Sequence, residues 1–425
     1  MNSTKKSVSA DKQKIYDEKI KVAILNHDTV SNNISGLDKY INRLARSLHS
    51  YSNKIIVNTF VFSSKNQVIY NGTYTENEIK EIKYPKGGYS AARIIDFLAL
   101  FTLGIRPTIE KTNRNKRFIL SLEKFNPDVI IDFDLTLSKL LANYKNRNPK
   151  VKIIFEYDSY KQIYNIADAI QVEENFYLKN LCLNPIKKLF YRKYVTYYMM
   201  MYQQMLDIAD KVIMASDRFL KEVGAEFPRY KNKLSIIPGV IARNAYNIRI
   251  KKISTIKTIL FVGGCQNPPN KQAIYYIENI IAPYLPDYRF IIAGIDCPKK
   301  NNIRNIKFLG QLKEKELYSR IQKADICIAP LTLGTGMKAK ILDYLLQGKA
   351  ILGTELAFEG YGIRNNINGF IENNIDRFPR CIMLLSKNIK LVNKVCKNAK
   401  KTASNFKNKH IVQKWLNVIF DILQN

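Results

Sequence analysis

Gly334, Thr335 and Gly336 stand between an apolar run, Asp325–Pro330, and a segment of helical character that opens with Met337, Lys338, Ala339 and Lys340. Glycines let a backbone come close to a ligand, and the first N–H groups of a helix have no partner inside it. The helix N-terminus also carries partial positive charge, so a strand, glycine turn and helix in this order suit an anion such as a diphosphate. Lys338 adds a cation at the same corner. Asp343 lies seven residues beyond Gly336, about two helical turns, which sets it on the face of the turn. A carboxylate there can accept hydrogen bonds from a ribose. Plainer readings stay open beside this one. The glycines also serve a bare strand-to-helix turn, and Lys338 and Lys340 also suit a solvated helix face, the reading adopted for Lys340. Asp343 is equally a surface residue on a helix otherwise apolar at Ile341, Leu342, Leu345 and Leu346.

Such a corner must be carried by strands, and the chain supplies them in alternation with helices. Strand-like runs in the first half are Lys21–Asn26, Ile55–Phe62, Asp128–Phe133, Val151–Tyr157 and Lys211–Ser216; helical stretches include Gly36–Leu48 and Leu189–Ala209. In the second half the runs are Thr258–Gly263, Arg289–Gly294, Ile306–Gly310, Asp325–Pro330 and Lys349–Thr354. Nearly continuous apolarity marks strands buried on both faces of a parallel sheet. The 425 residues exceed what one core holds, so two domains are expected. The division read from the pattern is a polar extension 1–20, a first domain 21–240, a linker 241–256, a second domain 257–405 and a closing helix 406–425. That helix carries Ile411, Trp415, Val418, Ile419 and Ile422 at helical spacing. The fold class is α/β, two doubly wound Rossmann-like domains facing across a cleft, with ligands expected at the carboxyl ends of the strands.

A net charge of +32 invites a nucleic-acid reading, but it divides evenly, +16 in residues 1–250 and +16 in 251–425, with no basic tail. A merely basic surface, or attraction to anionic lipid, is preferred, and no nucleic-acid partner is expected. The six cysteines show no paired spacing and are read as buried free thiols of a reducing compartment. Met1–Ile20 has no apolar core of a secretory signal, and the apolar stretch near Phe97–Ile105 is too short to span a bilayer. The expected place is the cytoplasm, with peripheral attachment at the inner membrane face as an option. Three histidines and no aspartate pair in a suitable loop give no metal site. Phe176–Met205, rich in Lys, Arg, Tyr and Met, reads first as a long buried helix and second as a face for membrane or a lipid-linked acceptor.

Together, FVGGCQNPPNKQAIYYIENIIAPYLPDYRFIIAG and ADICIAPLTLGTGMKAKILDYLLQGKAILGT resemble the GT-B glycosyltransferases, in particular the retaining family 4 (group 1). The resemblance is best over Lys257–Phe370; SGLDKYINRLARSL, ADKVIMAS and IIPGV match the first half more loosely. It implies a retaining hexosyl transfer from a nucleoside diphosphate sugar, UDP or GDP, to a glycan or lipid-linked acceptor. The implied setting is bacterial cell-surface polysaccharide synthesis, with no cofactor and no metal. Gly36 would sit in a first-domain loop near the diphosphate. Lys271 matches the family's basic residue, with Gly264 where an arginine usually precedes it. Gly334, Thr335, Gly336, Met337 and Lys338 would form the phosphate cradle, and Asp343 would stand for the ribose-binding glutamate. Lys271 and Lys338 would stabilise the leaving diphosphate, whose own oxygen would take the acceptor proton.

The sequence departs from the family at Thr335, where a first glutamate is usual, and at Phe155-Glu156-Tyr157-Asp158, where a histidine is usual. Glu156 and Asp158 become candidates for acceptor handling, with Asp158 placed among the catalytic residues. Asp28 beside His27, and Glu359 in a loop after Phe358, are weaker candidates. A non-catalytic protein that binds nucleotide sugars, or a sugar-nucleotide epimerase, is the alternative.

Overall fold

The computed structural model describes residues 19–27, 36–51, 53–62, 67–71, 116–133, 135–156, 184–241, 249–265, 267–297 and 303–424. They divide into two compact units, the first reaching Ile237 and resuming at Ile411, the second running from Pro238 to His410.

The first unit contains β1 (Ile20–His27), α1 (Gly36–Tyr51), β2 (Ile55–Phe62), β3 (Gln67–Asn71), α2 (Lys116–Phe125), β4 (Val129–Asp132), α3 (Ser138–Arg147), β5 (Lys152–Glu156), α4 (Asn184–Ile208), β6 (Lys211–Met214), α5 (Asp217–Glu226) and β7 (Leu234–Ile236). Its sheet has the order β3-β2-β1-β4-β5-β6-β7. All neighbours are parallel except β3, which returns antiparallel along β2. The apolar runs became strands because helices cover both faces: β4 is buried at every position. In α4 the buried side chains Tyr197, Met201, Tyr202, Met205 and Leu206 form one helical stripe, with the Tyr202 ring 5.8 Å from that of Phe155. The methionine-rich stretch thus turns a core-forming face inward, although Met200 is exposed.

The second unit contains β8 (Thr258–Val262), α6 (Pro268–Tyr276), β9 (Arg289–Ala293), β10 (Ile306–Phe308), α7 (Glu314–Lys323), β11 (Ile326–Ala329), α8 (Ala339–Leu346), β12 (Ile351–Gly353), β13 (Phe370–Ile371), α9 (Phe378–Lys387) and α10 (Ile389–Ala403). Its six strands are parallel in the order β10-β9-β8-β11-β12-β13. The final helix α11 (Asn408–Gln424) belongs to the first unit from Ile411 onward. It buries Ile411, Val412, Trp415, Leu416, Ile419 and Ile422. Trp415 Nε1 donates to Tyr40 Oη at 3.1 Å, and Tyr40 Oη in turn donates to Glu156 Oε2 at 3.3 Å.

One device recurs in both units. Asp128, Asp210 and Asp325 each stand just before a strand and accept backbone N–H groups at the start of the neighbouring strand. The distances are 2.7 Å from Lys21 to Asp128, 2.7 Å from Ile153 to Asp210, and 2.9 and 2.8 Å from Lys257 and Thr258 to Asp325. A charged acceptor at a strand's first N–H groups fixes register where the ladder itself offers no partner. Burial raises the Asp325 carboxyl, but the Lys251 ammonium and the two backbone donors outweigh it and hold the group below the usual carboxylate range.

The cysteines correct the expectation of free thiols. Cys265 and Cys297 form a disulfide with Cα atoms 5.1 Å apart. They lie just beyond the carboxyl ends of the adjacent parallel strands β8 and β9, so the sheet pairs residues 32 apart that no spacing rule would join. Cys327 and Cys396 are buried free thiols and Cys381 is a half-buried one; Cys182 lies outside the described residues. Among the described residues no helix is long and apolar enough to cross a membrane.

Candidate functional site

Strand order reverses between β8 and β11 in the second unit, with β9 and β10 lying on one side and β12 and β13 on the other. Loops that leave neighbouring strands at such a point diverge and open a crevice at the carboxyl edge. Here the two loops include 263–265, after β8, and 330–338, after β11. Both carry glycines, and the second packs against the start of α6: a Cβ at Gly334 would stand 2.8 Å from Pro269 Cγ. Gly334 and Gly336 also adopt φ of 98° and 71°, the left-handed region that disfavours side chains. Position and conformation therefore both require glycine at 334.

Helix α8 begins at Ala339, two residues later than the sequence pattern suggests, with Lys338 as its N-cap residue. Its N-cap backbone is extended, as is usual at that position; Lys338 Nζ folds back onto the Gly336 carbonyl at 2.6 Å, and Tyr361 Oη donates to the Lys338 carbonyl at 2.9 Å. Asp343 falls in the second turn, half-buried, and its Oδ1 accepts a hydrogen bond from Tyr318 Oη of α7 at 3.1 Å. The next residue, Tyr344, is buried, and its hydroxyl accepts the Val262 N–H at 2.8 Å, which anchors α8 to the end of β8. Burial, and then the Asp343 charge, push the Tyr361 phenol well up, so it stays a neutral donor beside the carboxylate.

Lys340 corrects the solvated-face reading. Its ammonium turns inward, bonds to Asn270 Oδ1 of α6 and lies 4.3 Å from the centre of the Phe261 ring. Burial, reinforced by repulsion from Lys338, pushes its pKa down to about 7. Asn270 Nδ2 donates to the Gly264 carbonyl at 3.2 Å, so Lys340, Asn270 and Gly264 link the two loops across the switch point. The direction of Lys340 is dictated by helix geometry: it follows Lys338 by two positions and so leaves α8 on another face, the one next to β8. Asn270 and the inward turn of Lys340 are the parts of this site that the sequence pattern does not reveal. Their only signals were an asparagine after a double proline and a second lysine in a turn without acids.

The remaining expected residues fall as follows. Gly264, Gly334, Thr335, Gly336, Met337, Lys338 and Asp343 are all on the two loops or on α8. Lys271 is half-buried near the start of α6, its N–H bonded to the Asn267 carbonyl at 2.9 Å. The Thr335 hydroxyl is buried with no hydrogen-bond partner, a costly state that an incoming acceptor would relieve. Met337 packs against Gly360, where a Cβ would be 2.7 Å from its Cγ, and this brings the loop after β12, with buried Glu359, against the cradle. Gly36 opens α1 in the first unit. Glu156 is buried there and held by Tyr40. Asp28 and Asp158 lie outside the described residues, as does all of 28–35 before Gly36.

The arrangement offers two lysine ammoniums, a helix start, left-handed glycines and one accessible carboxylate within a few turns of chain. That set can hold a diphosphate and a vicinal diol. Among the described residues no three His, Cys, Asp or Glu side chains converge as a metal site.

The family model described as Glycosyl transferases group 1 matches residues 256–388, the whole of this site included. A curated relative, an uncharacterized 44.6 kDa protein in the cps region of Klebsiella pneumoniae, is 27% identical over 158 residues, 33% of this chain and 40% of its own length. The match thus spans well under half of that relative. Three solved structures resemble nearly the whole chain. Sucrose-phosphate synthase from Thermosynechococcus elongatus has a TM-score of 0.64 at 13% identity, with 95% of this chain and 99% of that one covered. Anabaena Alr3699/HepE in complex with UDP and glucose has 0.61 at 13%, covering 94% and 99%. A glycosyltransferase from Rickettsia africae has 0.57 at 14%, covering 96% and 99%. At such identities the likeness establishes the fold, which is GT-B.

Proposed function

We propose that this chain, a group 1 glycosyl transferase across residues 256–388 and GT-B in fold, moves a hexose from a nucleoside diphosphate sugar to a glycan or lipid-linked acceptor. The observation that carries the reading is the pair of glycine loops at the β8/β11 switch point, bridged by Pro269 and Asn270 of α6, with Lys338, Lys340 and Asp343 around them. UDP is the preferred nucleotide, because HepE and a pneumococcal O-GlcNAc transferase resemble this fold and were both solved with UDP. The cps-region relative supports capsule or similar surface polysaccharide as the product class.

In this account Asp343 accepts hydrogen bonds from the ribose hydroxyls while Tyr318 holds it in place. The glycine backbone and the first N–H groups of α8 approach the diphosphate. Lys271, Lys338 and Lys340 meet the negative charge that grows as the bond from the anomeric carbon to the phosphate oxygen breaks. A bond forms from the acceptor oxygen to the same carbon, and the acceptor proton passes to the departing diphosphate. Retention of anomeric configuration goes with this arrangement, and it calls on no metal or cofactor. The Thr335 hydroxyl, standing where the family commonly has a carboxylate, serves as a neutral donor or acceptor to the sugar.

The test is turnover. Purified protein is given UDP- and GDP-sugars with a lipid or glycan extract, and release of the nucleoside diphosphate is measured with the anomeric proton of the product. Acceptor-dependent release with the donor's anomeric configuration preserved is expected. Nucleotide binding without release from any donor would favour the non-catalytic alternative.

A further inference from the structure

The even division of charge between the halves of the chain hides a local extreme. From Arg377 to Phe420 the sequence has eleven Lys or Arg residues and no Asp or Glu. At the chain's average composition, a stretch of that length would hold about four acidic residues. These eleven supply most of the +16 carried by residues 251–425. The structure shows where they point. In α9 the exposed residues Arg380, Met383, Leu384 and Lys387 recur at i, i+3, i+4 and i+7, while Phe378, Pro379, Ile382 and Leu385 are buried. In α10 the exposed residues Lys390, Lys394, Lys397 and Lys401 make a second stripe, opposite buried Val392, Val395, Cys396, Ala399 and Ala403.

We propose that the outward faces of α9 and α10 form a docking surface for a lipid bilayer that displays anionic headgroups. The inference goes beyond the glycosyl-transfer reading and does not depend on it. Two helices joined through the single residue Asn388 pack against each other and turn their core faces to the second unit's sheet layer. Among the described residues, the side chains named on their outer faces are exposed. Met383 and Leu384, 43% and 55% exposed, are an aliphatic pair flanked by Arg380 and Lys387. Basic residues around inserted aliphatic ones match a membrane interface, where the charges meet headgroups and the side chains enter the acyl boundary. A polyphosphate surface would match the lysines but leave that aliphatic pair without a place to go, since nucleic-acid binders use aromatic or base-reading groups there. The long alkyl stems of Lys390, Lys394, Lys397 and Lys401 suit the same interface. Helix α10 also packs on α8, so a bilayer held here would lie behind the helix that carries Lys340 and Asp343.

The experiment is co-sedimentation of the full chain with phosphatidylcholine vesicles, with and without phosphatidylglycerol. Each basic residue at such a surface strengthens partitioning roughly fivefold. Binding is expected to vesicles with phosphatidylglycerol only, and Lys394→Gln with Lys397→Gln should lower it by on the order of tenfold or more. Met383→Ser with Leu384→Ser should also weaken binding, while leaving its salt dependence in place. The control pair Lys307→Gln with Lys315→Gln, exposed on β10 and α7, should leave it unchanged. All variants should keep the wild-type melting temperature, since every altered side chain is exposed. Equal binding to neutral vesicles, no binding to either, or equal loss in the control pair would overturn the proposal. So would tight, salt-sensitive retention of single-stranded RNA with no vesicle binding, which would assign the stripe to nucleic acid. A failure here leaves the nucleotide response of the donor site intact, so the two readings fail separately.

Discussion

Donor binding should take up a proton, and Lys340 should be where it goes. In the free protein burial and Lys338 hold this ammonium at a pKa of about 7. A diphosphate nearby reverses the balance, because an opposite charge favours the protonated form and returns the group toward the ordinary lysine range near 10.4. At pH 8 the free amine would be protonated in about one molecule in ten, so binding should draw in about 0.9 proton; at pH 6 the uptake should fall to about 0.1. By linkage, affinity should weaken about tenfold for each pH unit above 7 until the bound-state pKa is reached. The assay is calorimetric titration of UDP-glucose in buffers of different ionisation enthalpy; its diphosphate is a diester with no group titrating near 7. Lys340→Met should bind more weakly at pH 6 and show no proton uptake at any pH. The same substitution has a signed effect on folding. Between pH 7 and about 10.4 the unfolded chain binds the proton that the folded one refuses, so wild-type stability rises with pH, by roughly 5 kcal/mol at most. Lys340→Met should flatten that rise. Absence of proton uptake by the wild type at pH 8, or the same uptake in the variant, would refute the reasoning.

Other consequences are nearer to single contacts. Asp343→Asn should weaken UDP binding about tenfold to a hundredfold, the range for a hydrogen bond to a charged group, and Tyr318→Phe about fivefold, both read by calorimetry. Gly334→Ala should cost about 1–3 kcal/mol in denaturant unfolding, because a Cβ there meets Pro269 and the φ of 98° disfavours any side chain. Asp325, whose folded pKa is lowered, adds stability that is present above the unfolded value near 3.9 and is lost as pH falls through the folded one. Asp325→Asn should remove that acid-side loss and lower stability at pH 7. Reducing the Cys265–Cys297 disulfide reopens a loop spanning 32 residues, which the chain-entropy estimate sets at about 3–4 kcal/mol of lost stability. Melting with and without a thiol reductant checks it.

Ten apolar runs were legible as strands and all ten are strands; most are buried on both faces, which leaves a continuous apolar signature that needs no partner to read, whereas β10 at a sheet edge exposes Lys307. The strands outside these runs, Gln67–Asn71, Leu234–Ile236 and Phe370–Ile371, are short and at sheet edges, where one side has no neighbour to demand apolarity. The glycine turn was legible for a similar reason: left-handed backbone and close approach exclude other residues. Lys340 was not. Whether a lysine on a short helix faces water or a neighbouring loop depends on Asn270 and Phe261, which lie 70 and 79 positions away and reach it only through the sheet order. The disulfide was hidden by the same crossover. The basic stripe was visible in the sequence all along, but summing charge over halves averaged it away, and only burial shows that its lysines share a face.

The most direct test of the central claim is the melting temperature of the purified protein against UDP, GDP, ADP and CMP, beside a nucleotide-free control. The account predicts a selective rise with one diphosphate, UDP first, that disappears in Asp343→Ala and in Lys271→Ala. A folded protein that responds to none of these nucleotides, or one whose response survives both substitutions, would contradict it.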